Sequence, residues 1–246
     1  MKKKVLMIIG AVVLVLAAVV VIGFHYLYNH GLSGQYANTD VKEGQIKVAC
    51  VGDSITYGHG VENWEENNYP AQLQQMLGDE YHVMNFGSSG ACVNPNGDQP
   101  YTSRDVYQAS IDYDADILIF MLGTNDSKPE NWTDMDTFME NYMELLGTYL
   151  EGENPPQVYI GLCAEGYYTE EYDPATGIAG YDIQPGIVDE IAERLALIPT
   201  SSVYPFSVID VHSLTEAHPE WFEADGIHPN ADGAKAIAEL VADAIK

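Results

Sequence analysis

The amino-acid sequence predicts an α/β fold in which helices cover both faces of a doubly wound parallel sheet. From residue 45 onward, short apolar runs alternate with longer stretches that have helical periodicity. The short runs are apolar at successive positions, as in Ile117-Leu118-Ile119-Phe120-Met121, which is typical of strands buried on both faces. The chain of 246 residues is also long enough for one ordinary domain with its own core.

The elements are predicted in a regular strand and helix order. Strands are expected at residues 46–51, 81–86, 116–121, 158–162 and 208–211, and helices at 69–77, 135–150, 183–197 and 231–245. In sheets of this kind, the loops that leave the carboxyl ends of the strands build the site. The residues directly after each predicted strand are therefore the first candidates for function.

The N-terminus predicts a membrane anchor. Three lysines, Lys2 to Lys4, precede an unbroken apolar run from Val5 to Phe24, which is long enough as a helix to cross a bilayer core. No Ala-x-Ala cleavage pattern follows the run, so an uncleaved signal anchor is favoured over a signal peptide. We expect an anchor at residues 1–24, a linker at 25–44 and one domain at 45–246. The lysines predict a single-pass protein of the cell membrane, with its domain outside the cytoplasm.

The charge balance restricts the possible partners. The chain has 37 acidic residues against 10 basic ones, a formal net charge of −27. Such a field repels the phosphates of nucleic acids, so no nucleic-acid partner is expected and a neutral substrate is favoured. The acidity can also serve only to keep an exported domain soluble. The oligomeric state stays open.

Neither a disulfide framework nor a metal site is predicted. The three cysteines are too few and too irregularly spaced for either role. His212, His218 and His228 could be combined with Asp210 and Asp225, but they lack the short spacing of familiar zinc sites. We therefore expect neither a metal nor an organic cofactor.

Three residues at predicted loops have the chemistry of a serine nucleophile and its base. Ser54 follows the first strand in Gly52-Asp53-Ser54, and Asp225 and His228 precede the last helix. A serine hydroxyl needs an adjacent base, and that base needs an orienting acceptor. An Asp three residues before a His, with Gly226 between them, can turn back to accept a hydrogen bond from Nδ1. We predict Ser54, Asp225 and His228 as catalytic residues.

Two further loops could bind an oxyanion. Gly87 follows the second strand, and Asn125 follows the third. The N–H groups of Ser54 and Gly87 and the side-chain amide of Asn125 are the predicted donors. Alternatively, Gly87 only allows a tight turn and Asn125 only caps a helix.

These four motifs, in this order, resemble those of the SGNH hydrolases, also called the GDSL-type esterase/lipase family. The matching residues are Ser54, Gly87, Asn125 and His228, within Gly-Asp-Ser, Asn-x-Gly, Gly-x-Asn-Asp and Asp-x-x-His blocks. The resemblance covers residues 46 to about 245. It implies a flavodoxin-like three-layer α/β/α sandwich with a five-stranded parallel sheet. It also implies ester hydrolysis through an acyl-enzyme without metal or cofactor, and structural roles for Asp53 and Asp126.

Three segments around the motifs are Gly58-His59-Gly60, Asn68-Tyr69-Pro70 and residues 122–132. They resemble the corresponding segments of bacterial carbohydrate acetyl esterases within this family. Hydrolysis of acetyl groups on neutral carbohydrate is therefore the leading hypothesis. An O-acyltransferase, a short-chain lipase or lysophospholipase, and a non-catalytic surface glycan-binding protein remain as alternatives. The segment 166–181, rich in tyrosine, either forms a substrate wall or packs as an irregular loop. His59 is expected at the surface.

Overall fold

The computed structural model describes residues 19–20, 41–167, 181–201 and 204–246. The predicted anchor lies outside the described residues except for Val19 and Val20, and so does the predicted linker except for residues 41–44. Within the described parts of the chain, no helix combines the length and the apolar character needed to cross a membrane.

A five-stranded parallel sheet forms the centre of the domain, as predicted. Its strands are listed in chain order as β1 Ile46–Gly52, β2 Tyr81–Gly87, β3 Ile117–Met121, β4 Gln157–Gly161 and β5 Ser207–Ile209. The order across the sheet is β2-β1-β3-β4-β5, and every pairing is parallel. This order reverses between β1 and β3, and doubly wound sheets bind ligands at such a reversal.

The helices of the described chain connect these strands. They are α1 Ser54–Tyr57, α2 Trp64–Asn67, α3 Tyr69–Leu77, α4 Asp105–Asp112, α5 Met135–Thr148, α6 Pro185–Leu195, α7 Ile198–Ser201, α8 Val211–Glu216 and α9 Ala231–Ile245. Short 3₁₀ turns occupy Gly78–Glu80, Tyr101–Ser103, Thr124–Ser127 and Pro219–Trp221. Asn68 caps α3 and Asn230 caps α9 through side-chain oxygens, which explains why both helices begin where the sequence predicts.

Two apolar clusters lie on opposite faces of the sheet. Ala49 and Val51 of β1 belong to one cluster, which also contains side chains from α5 and α6. Val48 and Cys50 point the other way and join α3 and α9. Successive side chains of a strand face opposite sides, so the continuous apolar runs reflect helices on both faces. The described residues thus form the three layers expected of the fold.

The sheet register aligns the ends of the central strands. Gly52 lies opposite Gly87 on one side and Met121 on the other. A Cβ at Gly52 would lie 2.1 Å from Thr56 Oγ1 and 2.7 Å from the Met121 carbonyl oxygen. Only glycine allows this close approach of α1 to the strand ends. The loops that follow β1, β2 and β3 therefore meet at one edge.

Candidate active site

Ser54 is the first residue of α1, directly beyond the end of β1. Asp53 caps this helix, because its Oδ1 accepts a hydrogen bond from Ile55 N–H at 2.9 Å. The cap fixes the turn from strand to helix and directs the Ser54 side chain to the sheet edge. Ser54 is 7% exposed, so its hydroxyl lies at the base of a recess.

Asp225 and His228 lie on the loop before α9, and the loop folds back as the spacing predicts. His228 Nε2 is 2.9 Å from Ser54 Oγ, and His228 Nδ1 is 2.7 Å from Asp225 Oδ2. The other Asp225 oxygen accepts the N–H groups of Ile227 and His228 at 2.9 and 3.0 Å. Gly226 has φ +71°, a value that favours glycine at this turn. The structure therefore brings the three predicted residues into one hydrogen-bonded chain.

The Asp225 carboxylate is suited to remain ionised. Burial raises its pKa, but the hydrogen bonds and charge of His228 outweigh burial and lower the pKa to about 2. An ionised carboxylate beside Nδ1 holds the imidazole in the tautomer whose Nε2 can accept a proton. This is the state that a serine hydroxyl requires of its base.

Two buried carboxyl groups support the loops around Ser54. Burial raises the pKa of Asp53 to about 6 and that of Asp126 to about 7. Asp126 accepts the N–H groups of Val93 and Asn94 at 3.0 Å each. It thereby anchors the loop after β2 to the turn after β3. These contacts agree with the structural roles expected for Asp53 and Asp126.

The raised pKa values predict that the domain loses stability as the pH rises from 4 to 8. In the folded state, Asp53 and Asp126 retain protons that the unfolded chain releases near pH 4. Folding stability therefore falls as the pH rises above 4, and it levels off once the pH has passed about 6 for Asp53 and about 7 for Asp126. Each pKa unit corresponds to about 1.4 kcal/mol. Between pH 5 and pH 8, the contribution of Asp53 falls by about one unit and that of Asp126 by about two, roughly 4 kcal/mol together, so we expect the melting temperature to be about 8–16 °C lower at pH 8, measured by calorimetry.

Two variants separate this effect from the general acidity of the protein. Asp126→Asn should flatten the dependence of melting temperature on pH. Asp243→Asn removes the same charge from an exposed position of α9 and should keep the wild-type slope. Equal slopes in all three proteins would contradict the assignment to Asp126.

A cavity opens directly above the Ser54 hydroxyl. Its volume is about 180 Å³. The residues that line it come from every loop at this sheet edge: Ser54, His59, Ser89, Gly90, Gln99, Thr124, Asn125, Lys128, Tyr181, Ile183, Ile227 and His228. The Lys128 ammonium lies 3.1 Å from the Asp98 carboxylate, so its charge is already balanced. The cavity can hold a small group next to the hydroxyl.

The predicted oxyanion donor Gly87 does not occupy the expected position. Its N–H donates to Asn85 Oδ1 at 2.9 Å, and it is absent from the cavity lining. The side chain of Asn85 folds back onto its own strand end and uses this donor. Gly90, three residues later, does line the cavity and has φ +80°. Gly90 was not among the predicted donors, although the Ser-Ser-Gly turn after β2 is a sequence signal for it.

Asn125 lies at the cavity, in the 3₁₀ turn after β3. Its Nδ2 is 3.2 Å from the Ala91 carbonyl and 3.5 Å from Asp53 Oδ2. Both are long for N–H···O hydrogen bonds, and the side chain is buried at 6% exposure. The amide is thus held between two loops by weak contacts. One of its N–H groups can turn toward a negative oxygen in the cavity.

His59 was expected at the surface, but its side chain lines the cavity. Its ring centroid is 4.6 Å from that of His228. Burial lowers the pKa of His59, and the proximity of His228 lowers it further, so the neutral form is favoured. The Tyr181 ring packs edge-on against the His228 ring, with 5.4 Å between the ring centroids. Two aromatic side chains therefore confine the imidazole.

The structure separates the other candidate residues. His218 stacks on Trp221 at 3.7 Å between ring centroids, and Asp210 caps α8 through Ser213 N–H. The hypothetical metal set of His212, His218 and His228 is therefore not assembled. In the tyrosine-rich segment, Tyr168 and Tyr172 lie outside the described residues, whereas Tyr181 lines the cavity.

Comparisons with known proteins agree with this geometry. The model of the GDSL-like Lipase/Acylhydrolase family matches residues 50–236. An acetylxylan esterase from Xylanibacter ruminicola is 34% identical over 213 residues, which cover 83% of this chain and 44% of the relative. The chain thus spans less than half the length of this curated relative.

Solved structures share the fold at low sequence identity. A carbohydrate acetylesterase from Sinorhizobium meliloti superposes with a TM-score of 0.62 and 20% identity, covering 82% of this chain and 98% of the other. An aryl esterase of M. smegmatis gives a TM-score of 0.60 and 18% identity, with 81% and 98% covered. These similarities establish a common architecture for the domain.

Proposed function

Because the chain belongs to the GDSL-like lipase/acylhydrolase family, we propose that it is a serine esterase that hydrolyses small acyl esters, most favourably acetyl groups on carbohydrate. One observation carries this proposal: His228 bridges Ser54 Oγ at 2.9 Å and Asp225 Oδ2 at 2.7 Å. These distances are within hydrogen-bond reach of a nucleophile, its base and the acceptor that orients the base. A buried serine in this arrangement can be activated without another group.

Acyl transfer to the serine follows from these contacts. His228 Nε2 accepts the proton of Ser54 as Oγ attacks the ester carbonyl, and Asp225 stabilises the imidazolium that forms. The imidazolium then donates its proton to the leaving alcohol oxygen as the ester C–O bond breaks. In the second half, His228 accepts a proton from water, which attacks the acyl-serine, and returns it to Ser54 Oγ as acetate leaves.

The negative oxygen of each tetrahedral intermediate needs donors that are already in place. We assign these to the N–H groups of Ser54 and Gly90 and to Asn125 Nδ2. The first N–H groups of a helix have no partner within the helix, so the Ser54 N–H at the start of α1 is available. Gly90 replaces Gly87 in this role because the Gly87 N–H is bonded to Asn85.

Substituting the two glycines should separate the donor from the structural turn. A Cβ at Gly90 would lie 2.5 Å from the Gln99 side-chain amide, which can move, but φ +80° disfavours alanine. Gly90→Ala should shift the donor and lower kcat about 10²-fold, near the cost of one missing donor, with the domain still folded. Steady-state kinetics with p-nitrophenyl acetate and a melting curve measure the two effects.

Gly87→Ala is the matched comparison. Its Cβ would lie 2.1 Å from the Tyr57 backbone nitrogen, which cannot move without displacing α1. We expect this variant to lose stability severely or to fail to fold. Full activity of a folded Gly90→Ala protein would contradict the assignment of Gly90.

The size of the cavity favours a short acyl group. The cavity has a volume of about 180 Å³ and must also receive part of the alcohol. Ligand pockets for larger molecules have about 300–1,000 Å³. An acetyl group fits this space, whereas an octanoyl chain would extend beyond it.

A carbohydrate alcohol is supported by similarity and by charge. Acetylxylan esterase is the name of the curated relative, and a structural neighbour is a carbohydrate acetylesterase. The net charge of −27 favours a neutral polymer over an anionic one. His59 and Tyr181 offer aromatic faces at the cavity, and such faces pack on sugar rings. We place the acetylated sugar above these two side chains.

Acyl-chain selectivity tests the proposal directly. We expect kcat/KM for p-nitrophenyl acetate to exceed that for the octanoate by at least about 10²-fold, because each misplaced methylene group costs an appreciable part of the binding energy. Acetate release from acetylated xylo-oligosaccharides should also be detected. Preference for octanoate would instead indicate a lipase, and no turnover of any ester would indicate a binding protein.

The proposal includes a location at the cell surface, through the apolar run of residues 5–24. Its support is the sequence alone: three lysines before twenty apolar residues. An enzyme held in this way would act on polymers at or near the cell that makes it.

A further inference from the structure

Three side chains converge outside the cavity, at the same edge of the sheet. Glu165 follows β4, Asp189 lies on α6 and His212 lies on α8. One nitrogen or oxygen of each lies within 4.8 Å of the other two. His212 Nε2 is 3.4 Å from Glu165 Oε2 and 3.8 Å from Asp189 Oδ1. None of the three residues lines the cavity above Ser54.

A hydrogen bond on the Nδ1 side fixes the orientation of the His212 ring. Its Nδ1 is 3.0 Å from the carbonyl oxygen of Cys163. A carbonyl oxygen can only accept, so Nδ1 carries the proton, and in the neutral ring the Nε2 lone pair faces the two carboxylates. Metal-binding histidines are usually held in this way, with the second ring N–H on a carbonyl or carboxylate.

The carboxylate oxygens that face His212 are not used for other bonds. Glu165 Oε1 accepts the Gly166 N–H at 3.1 Å, and the other oxygen faces the histidine. Asp189 Oδ1 is buried as an atom and has no hydrogen-bond partner among the described residues. Leaving a buried acceptor oxygen without a donor costs free energy. A cation bound to Asp189 Oδ1 would remove this cost.

The distances fit an ion between the side chains better than direct hydrogen bonds. Charged N–H···O bonds are typically about 2.7–2.9 Å long, which is shorter than the 3.4 and 3.8 Å seen here. Zinc lies about 2.0–2.2 Å from nitrogen and oxygen ligands, so the ligand atoms of a tetrahedral site lie roughly 3.3–3.6 Å apart. The separation of 3.4 Å between His212 and Glu165 lies within this range, and the 3.8 Å between His212 and Asp189 lies about 0.2 Å above it.

We propose that Glu165, Asp189 and His212 bind a divalent transition-metal ion of the zinc class at a structural site. The imidazole ligand favours such an ion over calcium or magnesium, which prefer all-oxygen ligands. The Asp189 side chain is 49% exposed, so water can reach the remaining coordination position. Two carboxylates also give the site the negative charge that balances a dication.

A bound ion would join three elements that support the active site from outside. Glu165 N–H donates to Thr215 Oγ1 at 2.9 Å, and Tyr167 N–H donates to the Gly226 carbonyl at 2.8 Å. Gly226 adjoins Asp225 on the loop that carries His228. The ion would therefore hold the exit of β4 in the position from which Tyr167 supports that loop. Its effect is on stability and on the position of this loop, not on the chemical step.

The test adds zinc to the full chain after its tag has been removed and a chelator has stripped bound metal. Titration calorimetry and metal analysis measure zinc binding, and melting curves measure its effect on stability. We expect one equivalent of zinc per chain in this site and a higher melting temperature. At zinc a hundredfold above its dissociation constant, the folded state should gain about 100-fold over the unfolded state. Asp189→Asn keeps the shape of the side chain and should weaken zinc binding at least about tenfold.

His218→Gln is the matched control, since His218 forms a surface pair with Glu220 at 2.8 Å and no third ligand lies near it in the described part of the chain. It should bind zinc like the wild type. Absence of zinc binding in the wild type, or equal binding in the wild type and Asp189→Asn, would overturn the proposal. Long-range nitrogen NMR provides a second measurement: both His212 nitrogens protonated at pH 8 in zinc-free protein would show an ion pair in place of a metal site.

Discussion

Replacing Ser54 by alanine is expected to lower kcat/KM for p-nitrophenyl acetate by about 10⁵-fold or more. In the proposed mechanism, Ser54 Oγ forms the covalent bond to the acyl group, and no other hydroxyl stands 2.9 Å from His228 Nε2 in the described chain. Loss of a serine nucleophile elsewhere costs about 10⁶-fold in kcat. The remaining rate should come from the oxyanion donors and from water.

The Ser54→Ala protein should still fold, since the substitution removes one buried oxygen and leaves the Asp53 cap of α1 in place. Ser89→Ala is the matched control, because Ser89 also lines the cavity and its hydroxyl has no hydrogen-bond partner among the described residues. We expect Ser89→Ala to stay within a few-fold of wild type. Activity retained by Ser54→Ala, or lost equally in both variants, would exclude Ser54 as the nucleophile.

Asp225→Asn should produce the second largest loss, about 10⁴-fold in kcat. The asparagine can still accept the N–H groups of Ile227 and His228 through one oxygen. Its NH₂ group would face Nδ1 in place of a carboxylate oxygen, and it would favour the tautomer in which Nε2 carries the proton. Such an imidazole cannot accept the proton of Ser54. The loss should therefore appear in kcat, with KM changed little.

Glu223→Gln is the control for Asp225→Asn, because it removes a carboxylate two residues away on the same loop. The backbone of Glu223 donates to the His228 carbonyl at 2.8 Å, which this substitution keeps. Near-wild-type turnover is expected. A comparable loss in both variants would assign the effect to loop charge and not to the orientation of His228.

Local sequence patterns account well for the fold. The bounds of α3 and α9 agree with the predicted residues 69–77 and 231–245, because an asparagine cap and a helical apolar period specify each start. The five strands were predicted to within one or two residues. The predicted strand ends differ from the observed ones, because the last residue of a strand is set by its hydrogen bonds to the neighbouring strand.

The candidate site was predictable where it depends on local spacing. Asp225, Gly226 and His228 form a turn that their own sequence specifies. Local spacing does not decide between Gly87 and Gly90 as oxyanion donors, because the Gly87 N–H is bonded to the folded-back side chain of Asn85. Likewise, no spacing rule connects His212 with Glu165 and Asp189, which meet only through three different elements. The position of His59 in the cavity was not predicted, because its contact with His228 joins residues that are far apart in the sequence.

The contact between Ser54 and His228 joins residues 174 positions apart. The second partner enters the site only when α9 has packed against α3, where Gln72 Nε2 donates to the Ala231 carbonyl and Lys246 Nζ to the Met76 carbonyl. A chain emerging from the ribosome would thus carry an inert serine until residues 225–245, which hold Asp225, His228 and α9, had been made. Partly made domains would therefore lack hydrolytic activity until α9 had been added and had packed on the sheet.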